Sequence, residues 1–162
     1  MLLGILADTH DRWKLTRVAV TLLRDEGAEV LVHCGDLSTP KILNECALLP
    51  CYFTFGNHDA DNVPYLRKAA SKTGAICLEW GGEFTIAGKR VAVTHGHMRS
   101  DVQALLAAKP DFLLFGHTHQ FEDRMEGETR RINPGALHRA ELPTVALLDP
   151  ATGVLRALSI SD

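Results

Sequence analysis

The 162-residue chain reads as a single α/β domain, built on a mixed sheet or on two sheets face to face with helices outside. Three observations predict this. Apolar, β-prone runs at residues 2–7, 30–34 and 51–55 recur at the spacing of βα steps. A hairpin pattern and a series of short β segments follow, separated by turn residues. No repeat, low-complexity stretch or linker divides residues 1–162.

Taken in order, residues 2–7 form a continuous apolar run, as expected of a strand buried on both faces. Leu15, Val18, Ala19, Leu22 and Leu23 then fall at three- and four-residue spacing, an amphipathic helix that Gly27 stops. A second buried strand over 30–34 leaves through Gly35-Asp36. Pro40 stands in the first turn of another helix, running to about Leu48. The third strand, 51–55, ends in Gly56-Asn57-His58-Asp59. Residues 83–87 and 90–94 alternate around Gly88-Lys89 as a hairpin. Ser100 with Gln103 makes a capping box that opens a helix through about Ala108, ahead of Pro110. Residues 111–115 are another buried strand, delivering Gly116-His117-Thr118-His119. Shorter β segments follow at 121–125, 129–132, 144–148 and 154–160, with Asn133-Pro134-Gly135 and Thr152-Gly153 as turns.

Apolar residues make up 46% and charged residues 23%, an ordinary balance for a globular protein. The net charge of −3 supplies no general attraction to phosphate backbones, so nucleic acid is not an expected partner. No run approaches the ~18 apolar residues of a membrane span, and Met1 to Ala7 lack the charged start of an export signal. Cys34, Cys46, Cys51 and Cys77 show no C-x-x-C spacing and read as reduced thiols, in keeping with a cytoplasmic setting.

The chemistry is concentrated in five short words, each just after a β-prone run. They are Asp8-Thr9-His10, Gly35-Asp36, Gly56-Asn57-His58-Asp59, Thr94-His95-Gly96-His97 and Gly116-His117-Thr118-His119. Ligands at the ends of neighbouring strands converge from distant parts of a chain. Imidazole and carboxylate donors suit manganese, zinc, iron, nickel or cobalt. Asp36 follows a strand and a glycine, so its carboxylate can reach two ions about 3.5–4 Å apart. His117 and His119, two residues apart in an extended stretch, point the same way and could serve one metal each.

Two divalent ions, the carboxylates of Asp8 and Asp36 and a bridging hydroxide leave a single positive charge, which attracts a phosphate ester and its transition state. Metal coordination brings the pKa of bound water to about 7, giving a nucleophile at neutral pH. His58, beside the ligand Asn57, could protonate the leaving oxygen.

These words, in this order, resemble the calcineurin-like metallophosphoesterases, whose pattern is Asp-x-His, Gly-Asp, Gly-Asn-His-Asp or -Glu, His, and Gly-His-x-His. The match runs from Asp8 to His119, and Asn133-Pro134-Gly135 extends it. The length resembles the compact bacterial and archaeal phosphodiesterases of that family. The resemblance implies a four-layer αββα sandwich, two facing mixed sheets flanked by helices, with no added cap domain. It implies one metal on Asp8, His10, Asp36 and His119 and a second on Asp36, Asn57, His95 and His117, with His58 as general acid and Asp36 as the bridging catalytic carboxylate. Manganese is the first expectation for the metal pair. Small members often carry serine after Asn-Pro-Gly, whereas this chain has Ala136, so a contact from that hydroxyl is missing here.

The expected activity is metal-dependent hydrolysis of a small phosphate ester, a diester first. A monoesterase, a nuclease or a non-enzymatic scaffold like the retromer subunit are the alternatives, and pairing of chains is open. His33 reads as a hydrogen-bonded core histidine, His97 as a support for His95, and His138 as a rim residue. Arg12, Arg99 and Arg139 lie near the motifs and could grip phosphate or stand in solvent.

Overall fold

The computed structural model describes residues 1–161. Two sheets carry the site. The first runs through strands β1 (Leu2–Leu6), β2 (Ala28–His33), β3 (Cys51–Phe53) and β4 (Ile76–Cys77), with β10 (Thr144–Leu148) and β11 (Leu155–Ser159) added beyond β1, in the order β11-β10-β1-β2-β3-β4. β1 to β4 are mutually parallel, and β10 pairs antiparallel with β1. The second sheet holds β5 (Gly81–Ile86), β6 (Lys89–Thr94), β7 (Phe112–Leu114), β8 (Phe121–Glu126) and β9 (Thr129–Pro134), in the order β5-β6-β7-β9-β8. Here β6, β7 and β9 are parallel, and β5 and β8 close the edges as antiparallel hairpin partners.

Alternation along the strands divides the apolar side chains between two cores. Leu3 and Ile5 of β1 and Val30 and Val32 of β2 meet Val91, Val93, Phe112, Leu114 and Ile132 of the second sheet. Leu6 and Leu31 face the other way, onto the helices α1 (Trp13–Asp25), α2 (Pro40–Cys46) and α3 (Val63–Thr73), where Leu15, Leu23, Ile42 and Leu66 are buried. Tyr52 of β3 stacks on Phe84 of β5 with ring centres 4.0 Å apart, tying the edges of the two sheets together. α4 (Arg99–Ala107) covers the outer face of the second sheet with no fully buried residue. The result is the expected four-layer arrangement, with a thin fourth layer.

Several local expectations change. Val18, placed by periodicity on the buried stripe of α1, is 46% exposed, because Leu15, Ala19 and Leu23 already fill the contact with the sheet. The Ser100–Gln103 capping box does not form: α4 begins two residues earlier than that box requires, with Met98 at the cap position and no side-chain bond there. Asn133 and Pro134 belong to β9, so the turn starts only at Gly135. The spacing bounded no helix after the third strand, yet α3 forms there from Pro64 in its first turn, with Leu66, Ala69 and Ala70 inward and left-handed Gly74 at its end.

Because β1, β2 and β3 run parallel in one sheet and β6, β7 and β9 in the other, their C-terminal ends meet at one edge of the sandwich. This is the crevice where open α/β sheets bind ligands. Every motif word sits in a loop leaving one of these strands.

Candidate metal centre

The two sheets are stitched together at that edge by the motif backbones themselves. Between the sheets, His117 N–H donates to Asp8 Oδ2 at 3.1 Å and His138 N–H to the Asp8 carbonyl at 3.0 Å, while within the second sheet Gly116 N–H donates to the His95 carbonyl at 2.9 Å. Asp8, His10, Asp36, His117 and His119 all hold left-handed backbones, with φ between 43° and 72°. Each such residue other than glycine costs about 1–3 kcal/mol, and such strain survives where the surrounding structure over-determines it. The glycines ahead of the ligands keep the approach close. A Cβ on Gly56 would collide with the Asp36 carboxylate and lie 2.5 Å from the Asp36 backbone nitrogen. One on Gly35 would lie 2.7 Å from the His95 ring.

Asp8, Asp36 and His95 form the buried floor. Asp36 Oδ2 lies 3.2 Å from His10 Nε2 and 3.2 Å from His95 Nε2. Asp8 Oδ1 lies 3.5 Å from His119 Nε2, 3.7 Å from His95 Nε2 and 3.9 Å from His10 Nε2. Three sets place their ligand atoms within 4.8 Å of one another: Asp8 with His10 and His119, Asp8 with Asp36 and His95, and Asp36 with His10 and His58. Asp8 Oδ1, His10 Nε2 and His95 Nε2 are buried and make no hydrogen bond. Buried polar atoms are normally paired, and these orphans converge on one point. Cations there would satisfy all of them, so the donor set fits metal.

His117 joins through its ring, 5.2 Å from that of His95. Asn57 is exposed, one residue from the His58 N–H that donates to Asp36 Oδ1 at 2.9 Å, and makes no side-chain bond among the described residues. His58 is exposed above it, its ring edge-on to His10 at 4.9 Å. A cleft of about 350 Å³ opens over the floor, lined by His10, Asp36, His58, His117, His119, His138 and Arg139.

The charges follow from this packing. Burial lifts the Asp8 carboxyl to about 6, ahead of the opposing pull of His95. Burial would also raise Asp36, but the His10 and His95 imidazoles beside it outweigh that and hold it well below the usual carboxylate range. Burial opposes a charge on His95, yet Asp36 beside it raises its pKa. Burial and neighbouring imidazoles lower His117 and His119. The site therefore favours neutral, metal-ready imidazoles at the mouth and an ionised Asp36 at the centre.

The contacts that support these side chains come from residues outside the ligand set or from the backbone. Asp59, quoted only as the tail of a motif word, is fully buried and accepts the N–H groups of Asp36, Ser38 and Gly56 at 2.9, 2.7 and 2.8 Å. Its place at the end of the word Gly56-Asn57-His58-Asp59 was the available signal. Asn133 donates to the Gly116 carbonyl and to Thr118 Oγ1, both at 3.0 Å, bracing the His117–His119 loop. His33 is the core histidine expected: Thr9 Oγ1 lies 3.0 Å from Nε2, and Nδ1 accepts the Gly35 N–H at 3.2 Å. Burial drives its pKa down to about 3.

His97 does not hold His95. The ring of His95 pairs instead through Nδ1 with the Cys34 carbonyl at 2.8 Å, which leaves Nε2 free to face the floor. His97 only packs alongside, 5.5 Å away between ring centres. His138 is closer in than a rim residue, its ring 4.5 Å from that of His10. Ala136 is fully buried.

Residues 1–153 match the family described as the calcineurin-like phosphoesterase superfamily domain. The chain is similar to a phosphodiesterase of Methanocaldococcus jannaschii, at 27% identity over 154 residues that cover 92% of this chain and 93% of the relative. It is similar also to a protein of Methanothermobacter thermautotrophicus named Probable metallophosphoesterase, at 35% identity over 96% of this chain and 86% of the relative. A solved structure of an archaeal phosphodiesterase superposes with a TM-score of 0.89 at 26% identity, covering 99% of this chain and 100% of the other. The ordered ligand words, the αββα sandwich and this match over nearly the whole chain agree: the protein belongs to the calcineurin-like phosphoesterase superfamily.

Proposed function

We propose that this phosphoesterase is a phosphodiesterase that works on a small phosphate ester with two divalent ions, manganese first. The observation that carries the reading is Asp36 Oδ2, equally distant at 3.2 Å from His10 Nε2 and His95 Nε2. A carboxylate oxygen between two buried, unpaired imidazole nitrogens supports a carboxylate that would serve both ions. Asp8, His10, Asp36 and His119 would hold one, and Asp36, Asn57, His95 and His117 the other. When bound, the pair supplies an acidified water as nucleophile and offsets charge gathering on the phosphoryl oxygens.

The chain's own part is orientation and proton handling. The Cys34 carbonyl sets the His95 tautomer, and Asp59 fixes the Asp36 loop. His58, exposed at the cleft wall, carries the proton that a departing alkoxide needs. The substrate is a compact ester, because the cleft wall offers imidazoles and a guanidinium and no extended basic surface.

The test is hydrolysis of bis-p-nitrophenyl phosphate and p-nitrophenyl phosphate, side by side, by metal-stripped protein refilled with manganese. His117→Ala controls for contaminants. Turnover that needs metal, vanishes in the variant and is faster with the diester supports the reading. Absence of turnover with manganese, nickel, cobalt and zinc contradicts it.

A further inference from the structure

The site's metal ligands account for every residue lining the cleft except His58, His138 and Arg139. His58 has its role above. The other two belong to the segment that follows β9, and that segment is pinned at successive points. Gly135 N–H donates to Asn133 Oδ1 at 3.0 Å, and Thr144 Oγ1 holds the Pro134 carbonyl at 2.7 Å. Arg12 Nη1 holds the Leu137 carbonyl at 2.9 Å, and His138 N–H holds the Asp8 carbonyl at 3.0 Å. Ala136 and Leu137 are fully buried, and the His138 ring lies against that of His10. Arg139 then emerges with a left-handed backbone, φ 52°, into the cleft.

Most other arginines of this chain are already paired. Arg17, Arg24, Arg67, Arg90, Arg124, Arg130, Arg131 and Arg156 each pair with a carboxylate. Arg12 is committed to Leu137. Among the described residues, Arg99 and Arg139 have side chains without a partner, and of the two Arg139 alone lines the cleft. A guanidinium is a planar fork that matches two phosphate oxygens, and it stays charged at any working pH. The cost of ordering it is lowered by the pinned loop beneath it.

We propose that Arg139 is the substrate-binding residue that grips the non-bridging oxygens of the phosphate, opposite the Asp36 floor. The inference rests on the phosphoesterase reading of the same cleft. It adds a recognition rule: among the described residues no apolar side chain lines the cleft, so the protein selects the phosphoryl group and tolerates variation in the alcohol.

The experiment uses the manganese-loaded protein, with Arg139→Gln, Arg139→Lys and, as a control away from the cleft, Arg99→Ala. Binding of inorganic phosphate is followed by calorimetry, and KM and kcat for bis-p-nitrophenyl phosphate are measured in parallel. Arg139→Gln is expected to weaken phosphate binding about tenfold and to raise KM by a similar factor, with the smaller change in kcat. Arg139→Lys restores part of both, Arg99→Ala moves neither, and manganese affinity and melting temperature stay at the wild-type values. Arg139→Gln with wild-type phosphate affinity and KM overturns the proposal, as does a wild-type chain that takes up no phosphate. Arg139-dependent phosphate binding by a wild-type chain that hydrolyses nothing supports the binding role and removes the phosphodiesterase reading alone.

Discussion

Asp59 Oδ2 accepts the backbone N–H of Asp36 at 2.9 Å, so one buried carboxylate holds the loop that presents another. The same side chain also takes the N–H groups of Leu37, Ser38 and Gly56. Two loops from neighbouring parallel strands, β2 and β3, are thereby locked together beneath the site.

Asp59→Ala would leave these donors buried without a partner. The expected loss is about 3 kcal/mol or more, read as a lower urea midpoint. Asp59→Asn can turn its oxygen to the Asp36, Leu37 and Gly56 N–H groups but then sets its amide N–H₂ against the Ser38 N–H, so it should recover only part of the loss. An Asp59→Asn protein as stable as wild type would show that the carboxylate is not what secures the loops.

Gly56→Ala places a methyl group against the Asp36 carboxylate and 2.5 Å from its backbone nitrogen. Asp36 must move, and with it the oxygen shared by His10 and His95. Manganese affinity should fall by about 10–100-fold, as when outer support of a ligand is lost. Calorimetric titration of the stripped variant measures this, and unchanged affinity would mean that Asp36 is not a ligand.

His58→Ala should slow esters with alkyl leaving groups far more than nitrophenyl ones, because nitrophenolate departs without a proton. The ratio of the two losses in kcat/KM is the readout. Equal losses would take His58 out of the acid role and return it to the set it forms with His10 and Asp36.

The metal's stabilising effect should grow with pH. Burial raises Asp8 to about 6, above its unfolded value near 3.9. The stability this group contributes to the metal-free chain is complete below about 3.9 and lost as the pH rises through about 6. His95 is raised as well, by Asp36 against the effect of burial, and its contribution is likewise lost as pH rises. Metal needs both groups deprotonated, so binding releases protons. Manganese should raise the melting temperature by roughly 5 °C more at about pH 7.5 than at about pH 5. A shift independent of pH would mean that Asp8 and His95 do not bind the ion.

The ligand words were legible because the chemistry constrains residue type and spacing at strand ends, and six of the residues named from them, Asp8, His10, Asp36, His95, His117 and His119, come together. The central strands β1, β2 and β7 were legible because each falls in a continuous apolar run. What the sequence hid was set by tertiary contacts. Val18 obeys the helical period and still faces solvent, since Leu15, Ala19 and Leu23 already fill the contact of α1. Asp59 looks like the exposed end of a turn until the β2 and β3 loops close over it. The Cys34 carbonyl orients His95 from across the sandwich, and a backbone group leaves no trace in residue identity. Arg139 stands apart from Arg12 only because the loop after β9 folds back onto Asp8.

The most direct measurement is turnover of bis-p-nitrophenyl phosphate by the metal-stripped chain as manganese is added in steps. The shared position of Asp36 between His10 and His95 predicts activity that rises to a plateau at two equivalents of manganese per chain. A plateau at one equivalent, or no turnover at any ratio, would contradict a centre of two ions bridged by Asp36.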